Sequence, residues 1–282
     1  MRQLILDREL NESGKVTLTG KDYKYLAQVL RVHIGTQIPV RMVDGILADF
    51  VVESVTKNTL VLKKTDYTAV KTLYNKSSSG AVGGVRAETL EKNAAICRIW
   101  LLQCMPKASK MDTIIRQSVE TGVERIFPVV SDRSVYERAK TIEKKDRWSR
   151  IVKEARQQSA SPVETFLESP AEMTIMLEKL KALLDKEKMM QIDFSSVSLV
   201  LTESRLENRS LHGSLSGKPN VIILAVGSEG GISPSEMQSL RKNGFLPIHF
   251  ETNVLRTETA AVYGISAVQT IMTEFESWQF RE

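Results

Sequence analysis

The sequence predicts an α/β protein of two domains, and three observations support this. The chain has 282 residues, about twice the length of a common domain. With 42% hydrophobic and 26% charged residues it has globular composition, which excludes collagen-like, wholly disordered and disulfide-stapled classes. Short β segments near the start give way to strands that alternate with helices. We expect a small β domain over residues 1–70, a flexible linker over 71–93 and an α/β domain over 94–282.

The first domain has the pattern of a small β-barrel with one helix. Period-two apolar patterns and turn pairs such as Asp44-Gly45 indicate its strands, and one helix is expected at about Asp22–Val29. The predicted strands are Gln3–Leu6, Lys15–Leu18, Thr36–Met42, Ala48–Ser54 and Thr59–Lys63. The linker that follows is rich in serine and glycine, as flexible connections are.

In the second domain, strands alternate with helices. This order predicts a largely parallel sheet with both faces covered. The predicted strands are Ile96–Leu102, Arg125–Val130, Val163–Leu167, Ser198–Leu201, Val221–Val226 and Phe245–His249. The predicted helices are Lys110–Thr121, Lys145–Ser159, Ala171–Leu184, Pro234–Asn243 and Thr259–Phe275.

Several classes of protein lose support from what the sequence lacks. Its apolar runs are far shorter than the roughly 18 residues of a membrane span. The apolar stretch Leu4–Leu6 is closed by charged residues, so we expect no secretory signal and a cytoplasmic protein. Cys97 and Cys104 lie seven residues apart in an apolar stretch and do not form a Cys-x-x-Cys pair, so we expect two buried thiols. The three histidines lack the spacing of metal ligands, so no metal site is expected.

Positive charge is concentrated in one part of the chain. The net charge is +5, and residues 76–160 alone carry 17 basic and 10 acidic side chains. Clustered Lys and Arg favour a polyanionic partner, because phosphate contacts release bound counterions. Within this region four cations lie at helical spacing opposite an apolar stripe: Arg147, Arg150, Lys153 and Arg156. That face is either ordinary solvent-exposed surface or an RNA contact.

A glycine-rich segment follows the six-residue apolar strand Val221–Val226. It contains Gly227, Gly230 and Gly231 and leads into Ser233, which with Pro234 and Glu236 makes the signature of a helix start. In α/β sheets, ligands bind at the carboxyl ends of strands. The segment is therefore either a ligand-binding loop or a plain strand-to-helix turn.

A second segment, Phe250–Ala260, also lies between a predicted strand and a predicted helix. Glu258 suits a helix N-terminus, and Thr257 or Thr259 could cap it. Arg256 has no such structural role. At the mouth of a cleft an arginine holds an anion or stabilises developing negative charge, whereas on an open surface it forms an ion pair.

These segments resemble the RsmE family of SPOUT methyltransferases. The resemblance is carried by Gly227-Ser-Glu-Gly-Gly and Val254-Leu-Arg-Thr-Glu-Thr-Ala. Further matches are Pro106-Lys107, Arg116-Gln-Ser-Val-Glu-Thr-Gly-Val123, Pro128 with Asp132-Arg133-Ser134, and Glu154-Ala-Arg-Gln-Gln158. Near the start, Tyr25-Leu-Ala-Gln-Val-Leu-Arg31 with Gly35 is similar to that family's PUA-like RNA-binding domain.

The resemblance implies a trefoil-knotted SPOUT domain after a PUA-like domain, a homodimer, and S-adenosyl-L-methionine as cofactor. The implied substrate is a uridine of 16S ribosomal RNA, methylated at ring nitrogen 3. The residues that would line the donor pocket are Leu201, Gly227, Glu229, Gly230, Gly231, Val254, Leu255, Arg256, Thr259 and Ala260. Arg256 would stabilise charge on the uracil, with Glu258 or Glu229 as base or as structural residues. Arg2 and Arg31, with the four helical cations, are the RNA-binding candidates.

Four positions depart from the family pattern and keep alternatives open. Ser228 stands where the family has proline, Glu251 and Asn253 replace a glycine and an arginine, and Ser161 replaces an arginine. If Glu251 and Asn253 spoil the donor pocket, the chain is a non-catalytic RNA-binding or ribosome-assembly factor. A SPOUT methyltransferase acting on another RNA or on ribose is the third alternative.

Overall fold

The computed structural model describes residues 3–65, 97–107, 109–134, 141–203 and 210–276. Contacts divide the chain into two compact units, Met1–Ala94 with Gln157–Pro162, and Ala95–Arg156 with Val163–Glu282. The predicted linker over 71–93 lies outside the described residues. Among those residues, no helix combines the length and hydrophobicity that a membrane span requires.

In its described part, the first unit is a five-stranded sheet in the order β1-β3-β4-β5-β2, with one helical segment. The strands are β1 Leu4–Ile5, β2 Lys15–Leu18, β3 Gln37–Arg41, β4 Leu47–Val55 and β5 Leu60–Lys64. All pairs are antiparallel except β1 with β3. Helix α1, Gly20–Tyr23, continues as a π-helical segment, Lys24–Val29. The predicted β domain with one helix is confirmed.

The segment Gln157–Pro162 belongs to this first unit although it lies far along the chain. The Gln3 backbone N–H donates to the carbonyl of Gln157 at 3.2 Å, and its side-chain amide donates to the carbonyl of Ser161 at 3.2 Å. Gln3 is fully buried and also accepts a hydrogen bond from Arg41. Buried polar groups need such partners, so these contacts fix the segment against β1.

The second unit is a parallel α/β sheet, as predicted. Its order within the described residues is β12-β10-β11-β6-β7-β8, and β9 also pairs with β7. The strands are β6 Arg98–Cys104, β7 Arg125–Val130, β8 Phe166–Leu167, β9 Ala171–Glu172, β10 Ser196–Leu201, β11 Val221–Val226 and β12 Leu246–Ile248. The helices are α2 Lys110–Glu120, α3 Thr141–Ser159, α4 Met173–Met190, α5 Leu211–Leu215, α6 Pro234–Lys242 and α7 Thr257–Glu276.

Strand β11 is buried at every residue, because helices cover both faces of the sheet. On one face Ile222 and Leu224 pack with α2 and α7, and on the other Val221 and Ile223 pack with α4 and α6. Cys97 and Cys104 are buried, unpaired thiols, as predicted.

Two elements differ from the prediction. Ala171–Glu172 pairs with β7 as a short strand, so the helix expected from Ala171 begins at Met173 and runs on to Met190. The short helix α5 was not predicted. Ala171–Glu172 is a strand because it pairs with β7. The hydrogen bonds to a partner strand cannot be predicted from local helix propensity.

An ion-pair network lies where β6 and β7 begin. Arg98 donates to Glu124 at 2.9 Å and makes two hydrogen bonds of 2.7 Å to Glu187 on α4. The Trp100 indole N–H also donates to Glu124, at 2.6 Å. The hydrogen bonds from Arg98 hold the pKa of Glu187 below its ordinary value. Since the pairing is bidentate, it fixes α4 to the amino ends of the strands.

We expect Glu187→Gln to lower the melting temperature by roughly 2–4 °C at neutral pH, about 1 kcal/mol. Because the folded-state pKa of Glu187 is lowered, its carboxylate stabilises the fold above the unfolded-state pKa, and this is lost as the pH falls through the lowered value. Thermal unfolding of wild type and variant at neutral pH and at about pH 3 measures both effects. Glu178→Gln, on the exposed face of α4, is the control. A difference that persists undiminished in acid would contradict the assignment.

Candidate active site

Two loops leave the same edge of the second sheet. Strands β10, β11 and β12 are parallel, so their carboxyl ends lie together. Residues 227–233, after β11, form what we call the glycine loop. Residues 249–260, which follow β12 and include the first turn of α7, form what we call the arginine loop. Both segments singled out in the sequence therefore begin at one sheet edge, where α/β proteins bind ligands.

The glycine loop is a tight turn followed by a capped helix. The Gly231 N–H donates to the Ser228 carbonyl at 2.9 Å, and Gly231 has a φ of +72°, which favours glycine. The predicted capping box is confirmed: the Glu236 N–H donates to Ser233 Oγ at 3.2 Å, and the Ser233 N–H donates to Glu236 Oε2 at 2.9 Å. The loop therefore has a defined exit direction into α6.

The loop after β7 braces the glycine loop. Asp132 Oδ2 accepts hydrogen bonds from the hydroxyls of Ser233 at 2.6 Å and Ser235 at 3.1 Å, and these lower the pKa of Asp132. Arg133 Nη1 donates to the Gly230 carbonyl at 2.7 Å. A Cβ on Gly230 would lie 3.0 Å from Arg133 Cβ, so only glycine fits there without a shift. The brace thus comes from the Asp132-Arg133 pair that the sequence resemblance includes.

The arginine loop meets the glycine loop at the start of α7. Thr257 Oγ1 donates to the Gly227 carbonyl at 2.6 Å and accepts a hydrogen bond from Gln103 Nε2 at 3.0 Å. Thr257 is 4% exposed and Gln103 is fully buried. Thr257, considered above as a helix cap, therefore ties the two loops together through its side chain.

Charged groups also meet between these loops. Lys110 Nζ, at the first residue of α2, lies 2.9 Å from Glu229 Oε1 and 3.5 Å from Glu258 Oε2. The Lys107 N–H donates to both carboxylate oxygens of Glu229 at 3.2 Å. Burial would raise the pKa of Glu229, but the Lys110 and backbone hydrogen bonds outweigh it and lower that pKa. Glu229 is thus ionised at neutral pH.

The remaining predicted donor-pocket residues lie in the arginine loop and in the first turn of α7, except Leu201, which is the last residue of β10. Arg256 is exposed, and its guanidinium has no hydrogen bond or ion pair within the described residues. Val254 is 80% exposed, which leaves an apolar side chain open beside Arg256. Thr259 is exposed, whereas Leu255, Ala260 and Leu201 are half-buried. Glu251 is exposed.

Helix α7 lies very close to the two central strands β10 and β11. A Cβ on Gly264 would be 2.8 Å from Leu224 Cδ2 and 3.2 Å from Leu201 Cδ1, so the approach depends on glycine. The Phe250 ring packs edge-on against Tyr263 with centroids 5.0 Å apart. The arginine loop therefore contacts α7 at Phe250 near its start as well as at Thr257.

The predicted RNA-binding cations are differently placed. Arg31, Arg147 and Arg150 are exposed, while Lys153 and Arg156 are half-buried. Arg147 forms an ion pair with Asp112 of α2. Arg2 lies outside the described residues.

Sequence reasoning overlooked three contributors to the site: Gln103, Asp132 and Lys110. Asp132 was visible only as part of the resemblance. Gln103 is a polar residue in an apolar strand, which is a usable signal, since buried amides need partners. Lys110 carries no local signal, because its partners are more than 100 residues away in the chain.

Comparison with known proteins identifies the family. Residues 92–269 match the model of an RNA methyltransferase domain, and residues 18–65 match that of an RNA methyltransferase PUA domain. The chain belongs to the RNA methyltransferase family. The two matches place an RNA methyltransferase domain after a smaller PUA domain, in line with the predicted α/β fold class that has a small PUA-like domain before it.

The curated relatives bear out the predicted resemblance to the RsmE family. A Bacillus subtilis protein named ribosomal RNA small subunit methyltransferase E is 24% identical over 265 residues, 93% of this chain and 92% of the relative. A protein of the same name from Aquifex aeolicus is 31% identical over 156 residues, 55% of this chain and 61% of the relative. This RNA methyltransferase thus spans nearly all of one relative and about three-fifths of the other.

Solved structures confirm the fold. A ribosomal RNA small subunit methyltransferase E from Neisseria gonorrhoeae, bound to S-adenosyl methionine, has a TM-score of 0.69 at 23% identity and covers 96% of this chain and 98% of its own. A putative methyltransferase from Legionella pneumophila, in complex with the cofactor SAM, has a TM-score of 0.71 at 21% identity, covering 95% and 97%. At these identities the comparison establishes the architecture of the RNA methyltransferase.

We expect Thr257→Val to destabilise the protein by about 1–3 kcal/mol, because it removes a buried hydrogen bond to the Gly227 carbonyl and a partner of Gln103. Urea unfolding measures the loss. Thr259→Val makes the same change two residues along at an exposed position, and we expect it to stay within about 0.5 kcal/mol of wild type. Equal effects of the two substitutions would show that the tie contributes nothing to stability.

Proposed function

We propose that this chain is an S-adenosyl-L-methionine-dependent methyltransferase that methylates ring nitrogen 3 of a uridine in 16S ribosomal RNA. The observation that carries the proposal is the meeting of the two loops at Thr257 and Gly227, with Arg256 exposed beside them, in a chain of the RNA methyltransferase family. The names of the relatives support the ribosomal substrate. The donor predicted from sequence is the molecule bound in two structural neighbours.

The residues present suit this donor. It carries a positively charged sulfonium, and in the described site Glu229 and Glu258 together carry one more negative charge than their shared partner Lys110 neutralises. Its adenine needs an apolar surface, which the open side chain of Val254 and the half-buried Leu255 offer. Backbone groups of Gly227, Gly230 and Gly231 would complete the pocket, as predicted. When bound, S-adenosylmethionine supplies an electrophilic methyl group.

The protein's own task is to prepare the uracil nitrogen. That nitrogen carries a weakly acidic proton, so a base must remove it or a cation must stabilise the anion as it forms. Arg256, free of other partners among the described residues, is assigned to the developing charge on a uracil oxygen. Glu258 is the better base, because Glu229 already accepts hydrogen bonds from Lys107 and Lys110.

The RNA is assigned to the basic residues of the first unit and of α3. Arg31 and Arg150 have exposed side chains suited to phosphate contacts, and the target base has to leave its stack to enter the cleft. A cytoplasmic location follows from a ribosomal substrate in the bacteria from which these relatives come.

A trefoil knot and a homodimer complete the proposal. For the knot, β12 pairs with β10 and not with β11, and the chain then returns to pack α7 closely against both inner strands at Gly264. The exposed Val254 and Tyr263, beside the cleft, suit a subunit contact. Light scattering with size-exclusion chromatography tests the dimer.

Two measurements distinguish the proposed enzyme from a non-catalytic factor and from a methyltransferase with another target. Calorimetry with S-adenosylmethionine distinguishes an enzyme, which binds it in the micromolar range, from a non-catalytic RNA-binding or assembly factor, which does not. Mass mapping of ribosomal RNA from cells with and without the gene identifies the nucleotide, and an unchanged uridine N3 pattern would favour another RNA or ribose.

We expect Arg256→Ala to lower kcat by about 100-fold or more, because it removes the cation assigned to the developing charge. Transfer of labelled methyl groups to unmodified small subunits measures kcat, and calorimetry checks that donor binding is retained. Arg241→Ala, at an exposed arginine on α6, is the control. Near-normal methylation by Arg256→Ala would disprove the role.

We expect Arg150→Gln to flatten the salt dependence of RNA binding by about 0.7–0.9 in the slope of log K against log salt. Arg147→Gln should have a smaller effect, since Arg147 is already paired with Asp112. Affinity for a ribosomal RNA fragment, titrated over a range of salt concentrations, measures both slopes. An unchanged slope for Arg150→Gln would assign this face to ordinary solvent-exposed surface.

A further inference from the structure

A lysine from outside both loops joins them. Lys110 belongs to α2, yet its ammonium lies between Glu229 of the glycine loop and Glu258 at the start of α7. We propose that Lys110 is a positioning residue that holds the two loops at the spacing the methyl donor requires. The inference rests on the proposed function and adds a residue to it.

We call Lys110 with its two carboxylate partners, Glu229 and Glu258, the clamp. Helix α2, which carries Lys110, is well anchored in the protein. Met111, Ile114 and Ile115 of α2 are buried in the core between the sheet and α7. Asp112 accepts a hydrogen bond from the Trp148 indole at 3.0 Å, which fixes the first turn of α2 from the other side. A cation anchored on such an element holds flexible loops more firmly than one on a loop would.

Lys110 is unfavourably placed with respect to its own helix, α2. A lysine in the first turn faces the positive end of the helix dipole, which disfavours it. The two carboxylates compensate: the hydrogen bond to Glu229 is the main reason that the pKa of Lys110 is raised. The lysine is therefore held by its partners and not by its own helix.

The two carboxylates depend on Lys110 to different degrees. Glu229 also accepts two hydrogen bonds from the Lys107 N–H. Glu258 Oε2 is buried, and among the described residues it has no hydrogen-bond partner and one counter-charge, Lys110 at 3.5 Å. Without the ammonium, two negative groups would face each other across the cleft and repel, and the loops would separate.

The contacts of Lys110 should affect donor binding, which an ordinary surface ion pair does not. Exposed ion pairs contribute little to stability. Lys110 instead joins two elements of one cleft, so its loss should appear in donor binding more than in the unfolding free energy.

The test compares Lys110→Met, Lys110→Arg and the control Lys181→Met, an exposed lysine on α4. Calorimetry gives the Kd for S-adenosylmethionine, and methyl transfer gives KM and kcat. We expect Lys110→Met to raise Kd and the donor KM about tenfold, a larger change than its effect on kcat at saturating donor, because the lost contact acts first on donor binding. Lys110→Arg should recover most of the affinity. Equal Kd values for Lys110→Met and Lys181→Met would overturn the proposal.

A double variant tests whether Lys110 acts through Glu229. In a Glu229→Gln background, the effect of Lys110→Met on Kd should shrink to about threefold or less, because one end of the clamp is already neutral. If Lys110→Met still raised Kd tenfold in the Glu229→Gln background, Lys110 would not act through Glu229.

Hydrogen exchange without donor separates this inference from the proposed function. Lys110→Met should speed amide exchange in residues 227–233 and 257–260, with no change for Lys181→Met. If the wild type binds no donor, the proposed function fails, and the exchange data still decide on the clamp. Unchanged exchange at both loops would overturn the clamp even in an active methyltransferase.

Discussion

The hydrogen bond from Thr257 to the Gly227 carbonyl is the interaction on which the candidate site depends. Parallel strands bring two loops to one sheet edge, but that alone does not close a cleft. Thr257 connects the loops where α7 begins, and the buried amide of Gln103 fixes the hydroxyl that does so. Since these groups are buried, leaving any of them unpaired carries the full cost of desolvation.

Around this hydrogen bond, three neighbouring parts of the fold each make a contact that supports one of the loops. Asp132 and Arg133 hold the glycine loop from β7, Tyr263 holds Phe250 from α7, and Lys110 joins both loops from α2. Most charged groups of the site are thereby neutralised by one another. Arg256 is left without a partner among the described residues, which is the condition for a side chain that acts on substrate.

Local chemistry explains why much of the fold could be predicted. The strands Arg125–Val130 and Val221–Val226 and the capping box at Ser233 were predicted at the positions that the structure shows. Each depends on residues within one turn or one strand, where periodicity and caps carry the information. Ala171–Glu172 was missed as a strand because the residues of β7 with which it pairs lie 42 positions earlier in the chain.

The sequence by itself determined the α/β class, the β domain before it, the two loops and the family, because glycine and arginine motifs are contiguous. Only the tertiary structure decided that Lys110 faces both Glu229 and Glu258, that Gln103 supports Thr257, and that Gly264 admits Leu224 against α7. These partners are far apart in the chain. Charge balance, burial and close packing depend on distances in space, which no local pattern of residues records.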